Sequence, residues 1–492
     1  MTKTSASDAS CCATGASEPA VHAASAAGLH LLIVGGGSAA FAAATRAAEL
    51  GASVTMINDG LPIGGTCVNV GCVPSKTLIR AAEALHRARR VNFDGIEADG
   101  RLADFKAVIR QKRQLVEQLR QAKYLDVVAD LPQVRIVEGR ARFVGPRTVD
   151  VNGKPITADR VLIATGAAPH IPPIPGLEDS AYLTNESAFE LEQLPESLIV
   201  LGGRYVALEC AQMFARFGSR VTILQRSDRI LLTETPDLTD ALTGYLREEG
   251  IEVVTGVACK RVSRHNDQVI VETEVNGALR RFTAAHLLVA TGRRANTRNM
   301  GLDAAGVRLD EQGFVRVDET LRTSAEGVWA AGDVIGNPEF VYAAAYEGAL
   351  AVENALIGTS RRRDYTALPW VVFTDPQVAG VGLDEQQARS EGIDADVAKL
   401  PLTHVPRALA ARDTRGFVKL VRDRASDRLI GARILAPEGS ELLLEVAVAI
   451  KFGVTAQQLR QMFHPYLTLG EGVKLAAIAF GKNVAKLSCC AT

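Results

Sequence analysis

From His30 onward a short apolar strand, a glycine turn, an alanine-rich helix and a second strand follow one another, and the same order returns near the middle of the chain. The first copy runs through Leu31-Leu32-Ile33-Val34, the turn Gly35-Gly36-Gly37, a helix to about Leu50 and a strand from Ala52 to Ile57. The second runs through Leu198-Ile199-Val200-Leu201, a glycine turn, a helix from Tyr205 to Phe217 and a strand from Arg220 to Leu224. Such a unit aims backbone N–H groups and a helix N-terminus at one point, where a pyrophosphate is held. Two of them predict an α/β chain with two nucleotide sites. The 492 residues leave room for two to four domains.

The two turns are not equivalent. Gly35-Gly36-Gly37-Ser38-Ala39-Ala40 fits GxGxxG/A directly after a strand, which makes Gly35, Gly37, Ser38, Ala39 and Ala40 candidates for cofactor binding. The acid that would hold a ribose diol is expected at the end of the next strand. Asn58 stands there, with Asp59 beside it, so the charged acceptor is absent or displaced by one; an amide can still bond a hydroxyl, which keeps Asn58 as a candidate cofactor contact. In Gly202-Gly203-Arg204-Tyr205-Val206-Ala207 an arginine takes the place of the second glycine. After the following strand come Gln225 and Arg226, with Arg229 close behind. An arginine there pairs with a 2′-phosphate, which predicts NADPH.

The most specific stretch is Gly64-Gly65-Thr66-Cys67-Val68-Asn69-Val70-Gly71-Cys72-Val73-Pro74-Ser75-Lys76. Four residues separate the cysteines, a spacing that lets two sulfurs meet at a helix entry, where the helix N-terminus favours a thiolate. A zinc site would need further Cys or His at short spacing, and none is nearby. The pair reads as a redox disulfide. Of the other cysteines, Cys210 and Cys259 read as core residues, while Cys11-Cys12 and Cys489-Cys490 are vicinal pairs. A formal net charge of -1 offers no field to recruit nucleic acid or an anionic membrane. No window is apolar enough for a membrane span and the N-terminus lacks a secretory layout, so a cytoplasmic enzyme acting on small molecules is expected.

With these motifs in place, residues 29 to 490 resemble the pyridine nucleotide-disulfide oxidoreductases, the family of glutathione reductase and dihydrolipoamide dehydrogenase. Gly332-Asp333, after Val328-Trp329-Ala330-Ala331, matches its second FAD motif. The resemblance implies FAD and NADPH as cofactors, with Asp333 on the ribityl chain. Thr66, Thr165 and Gly166 are further candidate contacts. It implies Cys67 as the outer, interchange thiol and Cys72 as the inner thiolate at the flavin. Lys76 and Glu209 would form an ion pair, and Tyr205 would cover the flavin on the nicotinamide side. The expected fold is two Rossmann-like dinucleotide-binding domains plus a C-terminal α+β dimerisation domain. The expected boundaries are a disordered tail at 1–28, an FAD domain at 29–166 and 293–364, an NADPH domain at 167–292, an interface domain at 365–480 and a cysteine tail at 481–492.

Disulfide reductases of this family pair a histidine with a glutamate five residues later. Here the segment is His464-Pro465-Tyr466-Leu467-Thr468-Leu469-Gly470-Glu471, with leucine at the glutamate position. His464 therefore reads as a packed or hydrogen-bonded residue. Tyr466 and the terminal Ser488-Cys489-Cys490 resemble the mercury(II)-reducing branch of the family. That resemblance implies Cys67, Cys72, Cys489 and Cys490 as Hg(II) ligands, with the tail and Tyr466 serving the partner subunit of a homodimer. Hg(II) is a soft ion and prefers thiolates. The segment Ser10-Cys11-Cys12-Ala13-Thr14 repeats the C-terminal Ser488-Cys489-Cys490-Ala491-Thr492 and offers a second dithiol or a chance pair. The alternative is a thioredoxin-reductase-like enzyme, some of which also use a terminal Cys-Cys; the missing glutamate counts against it.

Overall fold

The computed structural model describes residues 25–486, so Cys11, Cys12, Cys489 and Cys490 lie outside the described residues. A five-stranded parallel sheet forms the first domain. Its centre is β1 (His30–Val34), flanked on one side by β2 (Ser53–Asn58) and β3 (Val134–Glu138). On the other side lie strands Arg160–Ile163 and Val328–Ala330, the latter returning from far down the chain. Leu31, Leu32 and Ile33 are wholly buried because strands covered on both faces carry continuous apolar runs. Helix α1 (Ser38–Glu49) packs its alanines against the helix Val341–Ile357; Gly348 makes this possible, since a Cβ there would stand 2.1 Å from the Ala39 carbonyl oxygen.

The middle domain repeats the plan in a four-stranded parallel sheet, in the order Glu252–Val254, Arg220–Leu224, Ser197–Leu201, His286–Val289. It adds a three-stranded antiparallel sheet, Val257–His265, Gln268–Val275 and Ala278–Ala284, which the sequence pattern did not announce. The chain enters and leaves this domain through two adjacent strands, Ala167–Pro169 and Arg293–Ala295, paired antiparallel. The side chains of Thr165 and Asn296 cross-link the crossing, each donating to the other's carbonyl, at 2.9 Å both ways. The C-terminal domain is a five-stranded antiparallel sheet covered by the helix Gly439–Lys451. Its strands include Trp370–Val372, Gln377–Gly382 and, at one edge, Ala395–Pro401.

One reading changes at the margin. Residues 25–28, assigned to a disordered tail, are ordered: Ala26 is buried in the first domain's core and its N–H donates to the Leu50 carbonyl. Between the second and third strands of the first domain's sheet, in chain order, runs the amphipathic helix α4 (Phe105–Arg120), whose buried face holds Phe105, Ile109 and also Lys112, neutralised by Glu190. A helical wheel cannot see that partner, 78 residues away. No described helix is long and apolar enough to cross a membrane.

Candidate active site

The cysteine loop folds as two helices with a break between them. Cys67 lies in α2 (Gly65–Asn69), and Cys72 opens α3 (Cys72–Arg89) after Gly71. Asn69 fastens the loop, its amide donating to the carbonyls of Pro62 and Gly65 at 2.9 Å each. Both cysteines are free thiols and partly buried. A hydrogen bond from the Cys67 thiol, with help from the Lys76 charge and against the effect of burial, lowers the Cys72 pKa to about 7. The same hydrogen bond, together with burial, raises that of Cys67. The pair is polarised: Cys72, at the N-terminus of an 18-residue helix, is the more acidic thiol and the one that ionises first.

Lys76, one turn into α3, reaches the helix Tyr205–Phe217 of the middle domain and pairs with Glu209 at 2.8 Å. Glu209 is buried, and its second oxygen accepts from the Phe373 N–H at 3.0 Å. Lys76 also sits 4.4 Å above the Phe373 ring. One ion pair thus joins all three domains beside the thiolate. Tyr205 is held between two rings, Phe340 at 6.2 Å and Trp370 at 6.0 Å, and burial pushes its hydroxyl pKa up. Neither ring was marked in the sequence, because each comes from a different domain.

The first turn fits a flavin dinucleotide. A Cβ on Gly35, at φ +133°, would lie 2.1 Å from the Ala164 carbonyl oxygen, so only glycine passes. Gly65 of the cysteine loop lies against Gly37, where its own Cβ would come 2.6 Å from the Gly37 Cα. Ser38, Ala39 and Ala40 form the first turn of α1 behind it, and Thr66 stands beside Cys67 in α2. Thr165 and Gly166 follow directly after Ala164 at the domain crossing. Asp333 opens a short helical turn, with burial raising its pKa. Its neighbour Gly332 donates to Glu347 at 2.7 Å. The buried Nε of Arg293 faces the Asp333 carboxylate at 3.5 Å as its ion-pair partner.

The second turn opens into a cavity of ≈ 730 Å³ lined by Gly202, Gly203, Arg204, Gln225, Arg226 and others. Gly202, at φ +123°, passes the Ala290 carbonyl as Gly35 passes Ala164. Arg204 and Arg226 put two guanidinium groups on the lining of this cavity, which fits an anionic group arriving there. Cys210 is fully buried and Cys259 half-buried, as the reading of buried or semi-buried core residues expects, and Cys259 also lines this cavity.

Asn58 is at the end of β2 as read, but its amide is already engaged, donating to the Leu61 carbonyl at 3.1 Å and the Glu138 carboxylate at 3.2 Å. His464 does have an acidic partner: its Nε2 meets Glu445 Oε1 at 2.6 Å, from the helix Gly439–Lys451. That contact makes it the hydrogen-bonded residue expected, through a glutamate on the N-terminal side that no spacing rule would find. Tyr466 lies nearby, half exposed. Around it Phe463 is fully exposed, and Leu444, Val448 and Phe452 form an exposed stripe at helical spacing, an apolar face of the kind that subunits cover.

Comparison with known proteins decides the family. The pattern described as "Pyridine nucleotide-disulphide oxidoreductase" matches residues 29–348, and that of its dimerisation domain matches residues 368–477. The chain belongs to the pyridine nucleotide-disulphide oxidoreductases. Within that family it stands among the mercuric reductases: it is 47% identical to that of Streptomyces lividans over 470 residues, 94% of this chain and 98% of the relative. It is 48% identical to that of Shigella flexneri over 472 residues, 94% of this chain and 83% of the relative. Among solved structures, the Cu(II) complex of the HOCl-induced flavoprotein disulfide reductase RclA from Escherichia coli superposes with a TM-score of 0.81 at 32% identity, covering 90% of this chain and 98% of that one. The cofactors of this family member are FAD and NADPH, and its C-terminal domain is the one through which two copies pair.

Proposed function

We propose that this protein reduces Hg(II) to elemental mercury with electrons from NADPH, at the Cys67–Cys72 pair. The observation that carries the reading is the polarised pair itself, a thiolate at Cys72 bonded by the Cys67 thiol at the mouth of the flavin cradle. FAD and NADPH, when bound, supply a two-electron relay between coenzyme and sulfur. Gly35, Gly37, Ser38, Ala39, Ala40, Thr66, Thr165, Gly166 and Asp333 would hold FAD. Gly202 and Arg226 would hold NADPH, with the guanidinium on the 2′-phosphate. Tyr205, stacked between Phe340 and Trp370, would cover the flavin on the nicotinamide side and would yield to the coenzyme there. Lys76 favours the Cys72 thiolate, and Glu209 holds Lys76 in place.

Two thiolates are a fitting ligand set for a soft ion, and ligand exchange between thiolate pairs delivers it without release to water. Cys489 and Cys490, beyond the described residues, would collect Hg(II) and pass it to Cys67 and Cys72 of the partner subunit, with Tyr466 positioning it across the interface. Each turnover moves two electrons: NADPH becomes NADP⁺ and a proton, and Hg(II) becomes Hg(0). The working place of such an enzyme is the cytoplasm, where NADPH and reduced thiols are supplied.

The test is NADPH oxidation by the purified protein in excess small thiol, with Hg(II), oxidised glutathione or oxidised thioredoxin as acceptor. Oxidation that requires Hg(II) and releases volatile mercury supports the reading, and its loss in Cys67→Ser and Cys72→Ser variants locates the chemistry. Oxidation driven only by a disulfide overturns it in favour of a thioredoxin-reductase-like enzyme. A Cys489→Ala/Cys490→Ala variant that keeps full activity at low Hg(II) would remove the tail from the scheme.

A further inference from the structure

We infer that Glu138, at the end of β3, accepts the hydroxyls of the adenosine ribose of FAD in place of the acid missing from the end of β2. The inference rests on the flavin reading of the first turn. In dinucleotide folds that acceptor is a carboxylate at the end of the second strand. Here the position holds Asn58, which is spent. Its two amide hydrogens go to Leu61 and Glu138, and because both neighbours are acceptors they fix which way the amide points. Its oxygen is turned to the glycine turn, where a Cβ on Gly36 would come within 2.2 Å of it.

Glu138 lies one strand over, in register with Asn58 in the parallel sheet, so both side chains leave the same face at the same height. The backbone there is pinned twice: the Gly139 N–H donates to the Asn58 carbonyl at 2.9 Å, and the Asn152 amide donates to the Glu138 carbonyl at 3.1 Å. A carboxylate has about four lone-pair sites. Asn58 uses one on Oε2, and the side chain is exposed, so sites remain for two hydroxyls. The pair divides the work of one residue: Asn58 closes against the turn and orients Glu138, which presents the charge.

The full-length chain is stripped of flavin and titrated with FAD and with an FAD analogue lacking both adenosine-ribose hydroxyls, reading affinity from flavin fluorescence. The wild type is expected to prefer FAD by roughly tenfold or more, the usual scale for hydrogen bonds to a charged group. Glu138→Gln keeps an acceptor for Asn58 and is expected to bring that ratio within about threefold of unity, with unchanged circular dichroism. Asp59→Asn is expected to keep the wild-type ratio. A wild-type ratio in Glu138→Gln, or its loss in Asp59→Asn instead, overturns the inference and leaves the flavin reading intact. A wild-type chain that binds neither ligand overturns both.

Discussion

The two glycine turns share their first residue and part company at the third. Gly35 and Gly202 each pass a carbonyl oxygen of the strand that ends beside them, Ala164 at 2.1 Å and Ala290 at 2.3 Å from a built Cβ, so each is fixed as glycine by its own sheet. At the third position the first turn has Gly37 beneath Gly65 of the cysteine loop, whereas the second has Arg204, exposed on the rim of an open cavity. The enclosed turn belongs to a resident group and the open one to a visitor. A consensus glycine is therefore two demands, one from the strand behind it and one from whatever covers it. The second turn lacks the cover and so tolerates an arginine.

Breaking the shared feature gives the largest effect. Gly35→Ala places a side chain at positive φ, costing about 1–3 kcal/mol before any clash is counted, and the contact with Ala164 adds to it. The variant is expected to purify without flavin and to melt well below the wild type. Gly202→Ala is expected to keep its flavin and lose NADPH binding; flavin content after gel filtration separates the two outcomes. Next in size, Arg226→Glu should lower the preference for NADPH over NADH by roughly thirtyfold, as the loss of a charge-assisted hydrogen bond would, read as the ratio of kcat/KM values.

Lys76→Met tests the bridge between the two halves. The Cys72 thiolate is populated above about pH 7. Without the Lys76 charge, and with Glu209 left unpaired nearby, the midpoint should rise by about one unit. The thiolate present at neutral pH then thins, and the rate of alkylation of the reduced enzyme plotted against pH shows the shift. The smallest effect is expected for Arg204→Gly, within about 0.5 kcal/mol in stability and with unchanged flavin content. A large loss there would mean that the arginine is required rather than tolerated.

The helix Tyr205–Phe217 and the strand Arg220–Leu224 were legible to the residue, because a buried parallel sheet leaves uninterrupted apolar runs bounded by glycine. The cysteine loop was legible because its spacing is local. Partnerships across the sheet or between domains were not. Glu138 is 80 residues from Asn58, and Glu445, on the helix Gly439–Lys451, precedes His464 in its loop by 19. Trp370 and Phe340 meet at Tyr205 from separate domains. The missed strands at Ala278–Ala284 and Ala395–Pro401 carry mixed polar and apolar residues on sheet edges, where no apolar run marks them.

The paired strands at the domain crossing put the entrance and exit of the middle domain side by side, the layout of a cassette on a narrow stem that could swing. Its far side is tied down. Arg433 of the C-terminal domain, fully buried, binds Glu234 at 2.6 Å, and buried Lys419 holds Asp237 at 3.0 Å and Thr235 at 2.8 Å. Separating one such buried pair costs about 3–5 kcal/mol. The cassette is thus held at its stem and at its far side, and any swing about the stem would have to break those buried pairs.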